Sequence, residues 1–137
     1  MQQVKILQFP SIQDPRGQLT FIENLNHIPF KVNRVFYLYD VPVNTHRGGH
    51  CHKIQQQVLI AIRGILEIIL QDGFTHQTYM LDKPHIGLYI PAMIWSDQIN
   101  FSEGAVCLAL TSHLYDEADY IRDYGEYLKI VQGMNHE

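Results

Sequence analysis

A chain of 137 residues with 46% apolar and 18% charged residues is sized for one domain around a single buried core. Its formal net charge of −4 excludes nucleic-acid binding by broad phosphate neutralisation, although a local basic pocket for a small anion stays open. No apolar run reaches the roughly 18 residues of a membrane span, and the start, MQQVKILQFP, lacks the apolar core and cleavage site of a signal peptide.

In chain order, the sequence predicts a strand over residues 4–9, a DPRG turn at 14–17, a strand over 18–23 and another over 33–39. Two apolar runs follow, QVLIAI and ILEIIL, joined at Arg63-Gly64 and closed at Asp72-Gly73; both junctions read as hairpin turns. TYML, GLYIP, IWSDQI and AVCLAL continue the series. Many short strands at regular spacing imply a sandwich or barrel. Only the tail changes period. In DYIRDYGEYLKIVQ, Ile121, Tyr124, Leu128 and Val131 recur at helical spacing, and Asp116, Glu117 and Asp119 precede them, where negative charge suits a helix N-terminus. The expected architecture is all-β, a single domain over residues 1–137 forming a jelly-roll β-barrel with a short C-terminal helix. Cys51 and Cys107 are too few for a disulfide framework and suggest two free thiols in a reducing cytoplasm.

The segment RGGHCHKIQQQVLIAIRG, residues 47–64, carries the chemistry. On a strand, residues two apart face one side, so His50 and His52 project together and Cys51 points away. Two converging imidazoles suit either a metal site or acid/base work without a metal, and paired histidines with satisfied hydrogen bonds in the core are the plainer alternative. The spacing decides between the first two. From His52, four residues precede Gln57 and six more precede Gly64, an arrangement that resembles the first cupin motif with Gln57 at the place of its ligating Glu. GLYIPAMIWS, residues 87–96, resembles the second motif, with Ser96 where the last His ligand belongs. Amide and hydroxyl oxygens are poor substitutes for carboxylate and imidazole on Zn²⁺ or Fe²⁺, so the pair is read as metal-free acid/base chemistry with no cofactor.

Taken in order, DPRGQLTFIE, NRVFYLYD, RGGHCHKIQQQVL, the QDG turn, GLYIPAMIW and YDEADYIRDYGEYL resemble the dTDP-sugar 3,4-ketoisomerases (FdtA/QdtA-like, WxcM-like) of the cupin superfamily over nearly the whole chain. The resemblance implies a homodimeric, metal-free isomerase acting on dTDP-4-keto-6-deoxy-D-glucose. It would move the carbonyl from C4 to C3, ahead of a transamination to a 3-amino sugar. It also implies that His50 and His52 are the paired histidines and that Tyr37 is the accompanying tyrosine. Ser96 departs from the Trp-His of the members compared, and Arg16-Gly17 resembles the members that form the galacto epimer.

Carbonyl migration needs a proton removed from C3 and one delivered to C4 through an enediol(ate), a task for imidazoles titrating near neutrality. His50 and His52 share the base and acid roles in this reading, and Tyr37 either donates to the enediolate oxygen or is a strand tyrosine packed in the core. Arg47, then Arg16 and Arg34, are candidates for the diphosphate because guanidinium makes paired charge-assisted bonds, though each also fits a solvated surface. Tyr89 and Trp95 pack on the base or sugar, or else in the core. Gln57 binds a sugar hydroxyl, orients a histidine or is structural. His27, His46, His76, His85, His113 and His136 read as surface or turn residues. A non-catalytic nucleotide-sugar-binding cupin and a metal-dependent cupin enzyme are the alternatives.

Overall fold

In a computed structural model, which describes residues 1 and 3–134, the chain forms two facing five-stranded sheets with antiparallel strand pairing. The first runs β1 (Lys5–Gln8), β9 (Ile86–Ile90), β6 (Gln57–Arg63), β11 (Val106–Thr111) and β4 (Arg34–Leu38). The second runs β12 (Tyr120–Ile121), β5 (Arg47–His52), β10 (Trp95–Ile99), β7 (Leu66–Gln71) and β8 (His76–Leu81). A separate hairpin, β2 (Ser11–Asp14) with β3 (Gly17–Thr20), turns at Pro15-Arg16 and pairs with neither sheet. The expected all-β fold is therefore present, organised as two layers.

Between the layers, Leu59 and Ala61 of β6, Leu88 and Ile90 of β9 and Cys107 and Ala109 of β11 meet Leu66, Ile68 and Leu70 of β7. Period-two alternation sends one set of side chains inward and the other outward. The outward set is also covered. Val58, Ile60, Tyr89 and Leu110 pack under Phe9, Ile28 and Phe30. On the opposite side, Cys51, Trp95 and Ile121 pack under Tyr127 and Val131 of helix α1 (Tyr124–Met134). The Tyr127 side chain is fully buried, and its hydroxyl lies within donating distance of two carbonyls, Gln71 at 3.0 Å and Met93 at 2.9 Å. This is how a buried phenol avoids the cost of an unmade hydrogen bond.

Two sequence expectations change. Arg63-Gly64 is not a hairpin: β6 pairs with β9 and β11, and β7 with β8 and β10, so the chain crosses between layers at this point. Asp72-Gly73 does close a hairpin, β7 with β8. The tail does not form one helix from Asp119. A 3₁₀ turn (Glu117–Asp119) and β12 come first, Ile121 lies in β12, and Asp123 caps α1 by accepting from the Glu126 N–H at 3.1 Å.

Candidate active site

The strand β5 crosses from solvent into the sandwich, and its first half is bent. Opposite the junction of Ser96 and Asp97 the register shifts, so that Ser96 pairs with His50 but Asp97 with Gly48. Gly48 and Gly49 both take positive φ, +85° and +77°, and a Cβ on Gly48 would meet the Ser96 carbonyl oxygen at 2.8 Å. A bulge of this kind re-aims the side chains that follow it.

Beyond the bulge, His50 and His52 face inward with ring centroids 5.1 Å apart and planes at 83°. Cys51 points the other way, into the cluster under α1, as alternation requires. The short strand β12 lays Tyr120 opposite His52, and its ring lies 4.4 Å from His52 and 5.0 Å from His50. Arg122 stands over the Tyr120 ring, 4.3 Å from its centroid, and is held by Glu117 at 2.7 Å.

The two imidazoles have unlike partners. His52 Nδ1 lies 3.2 Å from Asp119 Oδ2, and its Nε2 lies 3.3 Å from the Gln55 amide nitrogen. Gln55 Oε1 in turn accepts from Arg34 Nη2 at 3.4 Å. By contrast, His50 Nδ1 is buried without a hydrogen-bond partner, as are Ser96 Oγ and Gln98 Oε1 on the neighbouring β10. Burial, then the nearby His52 and Arg122 charges, push His50 down to about 4. Burial also lowers His52, with Asp119 opposing it. A backbone contact to Gly48 and the Asp97 charge oppose the fall of His50 without cancelling it, so His50 is uncharged at neutral pH.

Of the residues singled out from sequence, the structure gathers His50, His52 and Arg34 at this end of the inter-sheet space. Gln57 is buried on β6, in register with Thr111, which pairs with Arg34. Arg47 starts β5 at the exposed rim. Arg16 stands on the β2–β3 hairpin, paired with Asp14 at 2.8 Å and largely exposed. Three candidates lie elsewhere within this chain. Tyr37 is 59% exposed, on the outward set of β4 beside Tyr39. Tyr89 faces outward on β9, where its hydroxyl donates to Gln56 Oε1 at 2.6 Å. Trp95 packs beneath α1 against Tyr124 and Tyr127. Alternation is the cause in each case, since their neighbours Phe36, Leu88, Ile90 and Ser96 take the inward positions. Of the remaining histidines, His46 places Nε2 2.7 Å from Asp97 Oδ1 at the exposed rim; His136 lies outside the described residues.

Asp119, Gln55 and Tyr120 were missed. Asp119 is buried and bonds across 67 residues of sequence, so no local pattern marks it. A cavity of about 610 Å³ opens beside Asp119, lined also by Asn33, Ile54, Ser112, Leu114 and Tyr115, a volume in the range of small-molecule sites. Among the described residues, no group of three or more His, Cys, Asp or Glu side chains is placed to hold a metal ion.

Two facing antiparallel sheets with paired imidazoles on one inner face define a cupin-like β protein. Residues 2–132 match the family described as FdtA: WxcM-like, C-terminal, and the chain belongs to that family. It is 40% identical over 133 residues to the TDP-4-oxo-6-deoxy-α-D-glucose-3,4-oxoisomerase of Aneurinibacillus thermoaerophilus, covering 97% of this chain and 96% of that one. A 3,4-ketoisomerase from Helicobacter canadensis superposes with a TM-score of 0.92 at 45% identity, covering 95% of this chain and 98% of the other. A mutant of the 3,4-ketoisomerase QdtA from Thermoanaerobacterium thermosaccharolyticum, solved with TDP-4-keto-6-deoxyglucose, gives 0.96 at 37% identity, covering 100% and 99%.

Proposed function

We propose that this chain is a dTDP-4-keto-6-deoxy-D-glucose 3,4-ketoisomerase. The observation that carries the reading is the pair itself: two inward imidazoles in contact, one with partners at both ring nitrogens and one whose buried Nδ1 lacks a hydrogen bond. His50 takes the proton from C3, and the electron pair left behind forms the C3–C4 double bond as the carbonyl electrons move onto O4. His52 takes the proton that O3 loses and passes it to O4. His50 then returns its proton to C4, leaving the carbonyl at C3 and both imidazoles as they began. Arg34 and Arg47 serve the diphosphate, and Gln57 a sugar hydroxyl. Tyr37 and Arg16 would reach a reaction site only if a second copy of the chain brings them there.

We place the product in the D-galacto series, from the Arg16-Gly17 turn, and expect a transamination to a 3-amino sugar to consume it. No metal takes part, because the Gln57 amide and Ser96 hydroxyl replace the stronger ligands. No helix among the described residues is long and apolar enough to cross a membrane, and both cysteines are buried free thiols, which supports the cytoplasm as its place. The test is proton NMR of the sugar nucleotide with purified protein in D₂O. A 3-keto product with deuterium entering the ring, unchanged by chelator, is expected, and its ring couplings report the C4 epimer. Line-broadening of the ligand without turnover would instead make the protein a binding module.

A homodimer is the second expectation. The β2–β3 hairpin leaves Ile12 and Leu19 exposed and has no sheet to join within the chain, and β4 is an open edge carrying exposed Val35 and Tyr37. Light scattering behind size exclusion should give twice the mass of one chain; a monomeric mass would remove both the dimer and any part for Arg16 and Tyr37.

A further inference from the structure

We infer that Asp119 is a positioning residue for this reaction, whose carboxylate fixes His52 as the Nδ1–H tautomer and so leaves Nε2 as the nitrogen that exchanges protons with the sugar. The kinetic part of this inference rests on the isomerase reading above; the tautomer does not.

The carboxylate contacts of Asp119 point the same way. Its Oδ1 accepts from the Ile54 N–H at 2.8 Å, and its Oδ2 from the Gln55 N–H at 3.3 Å and from His52. Its own carbonyl accepts from the Lys53 N–H at 2.8 Å. The carboxylate is 8% exposed and pinned by the segment that leaves β5, so it cannot swing away from the ring. A carboxylate that accepts backbone N–H groups offers only acceptors, and His52 Nδ1 must therefore donate.

The far side of the ring gives the same answer independently. Arg34 has no acceptor, so Gln55 must turn its oxygen to the guanidinium and its amide nitrogen to His52 Nε2. Donors then run in one direction, from Arg34 to Gln55 to His52 to Asp119, and only the Nδ1–H tautomer satisfies all four groups. A sugar oxygen arriving at Nε2 takes the place of the Gln55 amide, and when Nε2 gains a proton the buried carboxylate faces an imidazolium it can stabilise. The other charged and titratable groups around the ring are His50 on β5, Tyr120 on β12, Arg34 on β4, and Arg122 just past β12. None of them supplies a negative charge at neutral pH. Removing the carboxylate should therefore move His52 in one direction, toward lower pKa.

The first measurement needs no variant. In protein with ¹⁵N-labelled histidine, long-range ¹H–¹⁵N correlation spectra of the wild type at neutral pH should show His52 protonated at Nδ1. The Nε2–H tautomer there would overturn the inference outright. The second compares Asp119→Asn and Asp119→Glu. Asparagine keeps one oxygen but turns an N–H₂ toward either His52 or the Ile54 N–H. It should lower kcat roughly 10²-fold with KM little changed, shift whichever limb of the pH–rate profile belongs to His52 to lower pH, and erase the tautomer preference. Glutamate should restore part of each. A lower kcat with the limb and the tautomer both unmoved would reduce Asp119 to a structural cap and overturn the inference. Wild-type protein that shows the Nδ1–H tautomer but leaves the sugar unchanged would sink the isomerase reading, and with it the kinetic role alone.

Discussion

Replacing His50 by asparagine is expected to slow carbonyl migration by about 10²- to 10⁴-fold, the usual worth of a positioned general base, with affinity for the sugar nucleotide little changed. The asymmetry of the pair is the reason. His52 has both ring nitrogens engaged, by Asp119 and Gln55, whereas His50 Nδ1 has no partner. Asparagine keeps a polar side chain in the space but has no basic nitrogen to receive a proton. The same NMR progress curves check this, read as deuterium entering the sugar ring. A His50→Asn protein that still exchanges the ring proton, beside a His52→Asn protein that does not, would reverse the two roles.

The same histidine is expected to make the fold acid-sensitive. In the native protein His50 is held at about 4, burial being the main cause, whereas in an unfolded chain it titrates at its ordinary 6.5. Between those values the unfolded state binds more protons, so stability rises with pH across this window and falls on acidification from 6.5 toward 4. The full difference is on the order of 3 kcal/mol, a sizeable part of the roughly 5–15 kcal/mol that holds a domain together. His52 is displaced in the same direction and steepens the fall. Urea unfolding at about pH 7 and about pH 4.5 should show the loss, and His50→Asn should remove much of it. A wild-type stability that is flat through the window would mean that His50 charges in place, with water reaching it.

What could be read in the sequence follows from how local each signal is. The His50-x-His52 alternation is a two-residue pattern, and it survives folding intact. The same rule, applied further, would have separated other candidates. Arg34 and Tyr37 have opposite parity on β4, and Trp95 has the opposite parity to Ser96 on β10, so each pair could not face one site on a regular strand. Between β6 and β7 the sequence offers two apolar runs and a Gly, which fits a hairpin and a crossing between sheets equally well; only the partners β9, β10 and β11 decide. Asp119 was misread for a related reason. Acidic residues ahead of a helical period suit its N-terminus, but Asp123 takes that place and Asp119 turns inward to a histidine far away in sequence. Contacts of that separation leave no trace in local pattern.

The two cysteines lie on opposite sides of the sheet that carries the histidines, Cys107 in the core between the layers and Cys51 beneath α1, and burial raises both thiols to about 12. Neither is a thiolate at neutral pH, so alkylating reagents meet them only when the structure opens. Cys51 becomes reachable when the helix lifts from the back of β5, and Cys107 only when the layers part. The molecule thus carries two internal clocks, one for the peeling of its C-terminal cover and one for the opening of its whole interior. The gap between their rates measures how far the support behind the histidine strand can loosen while the sandwich itself stays closed.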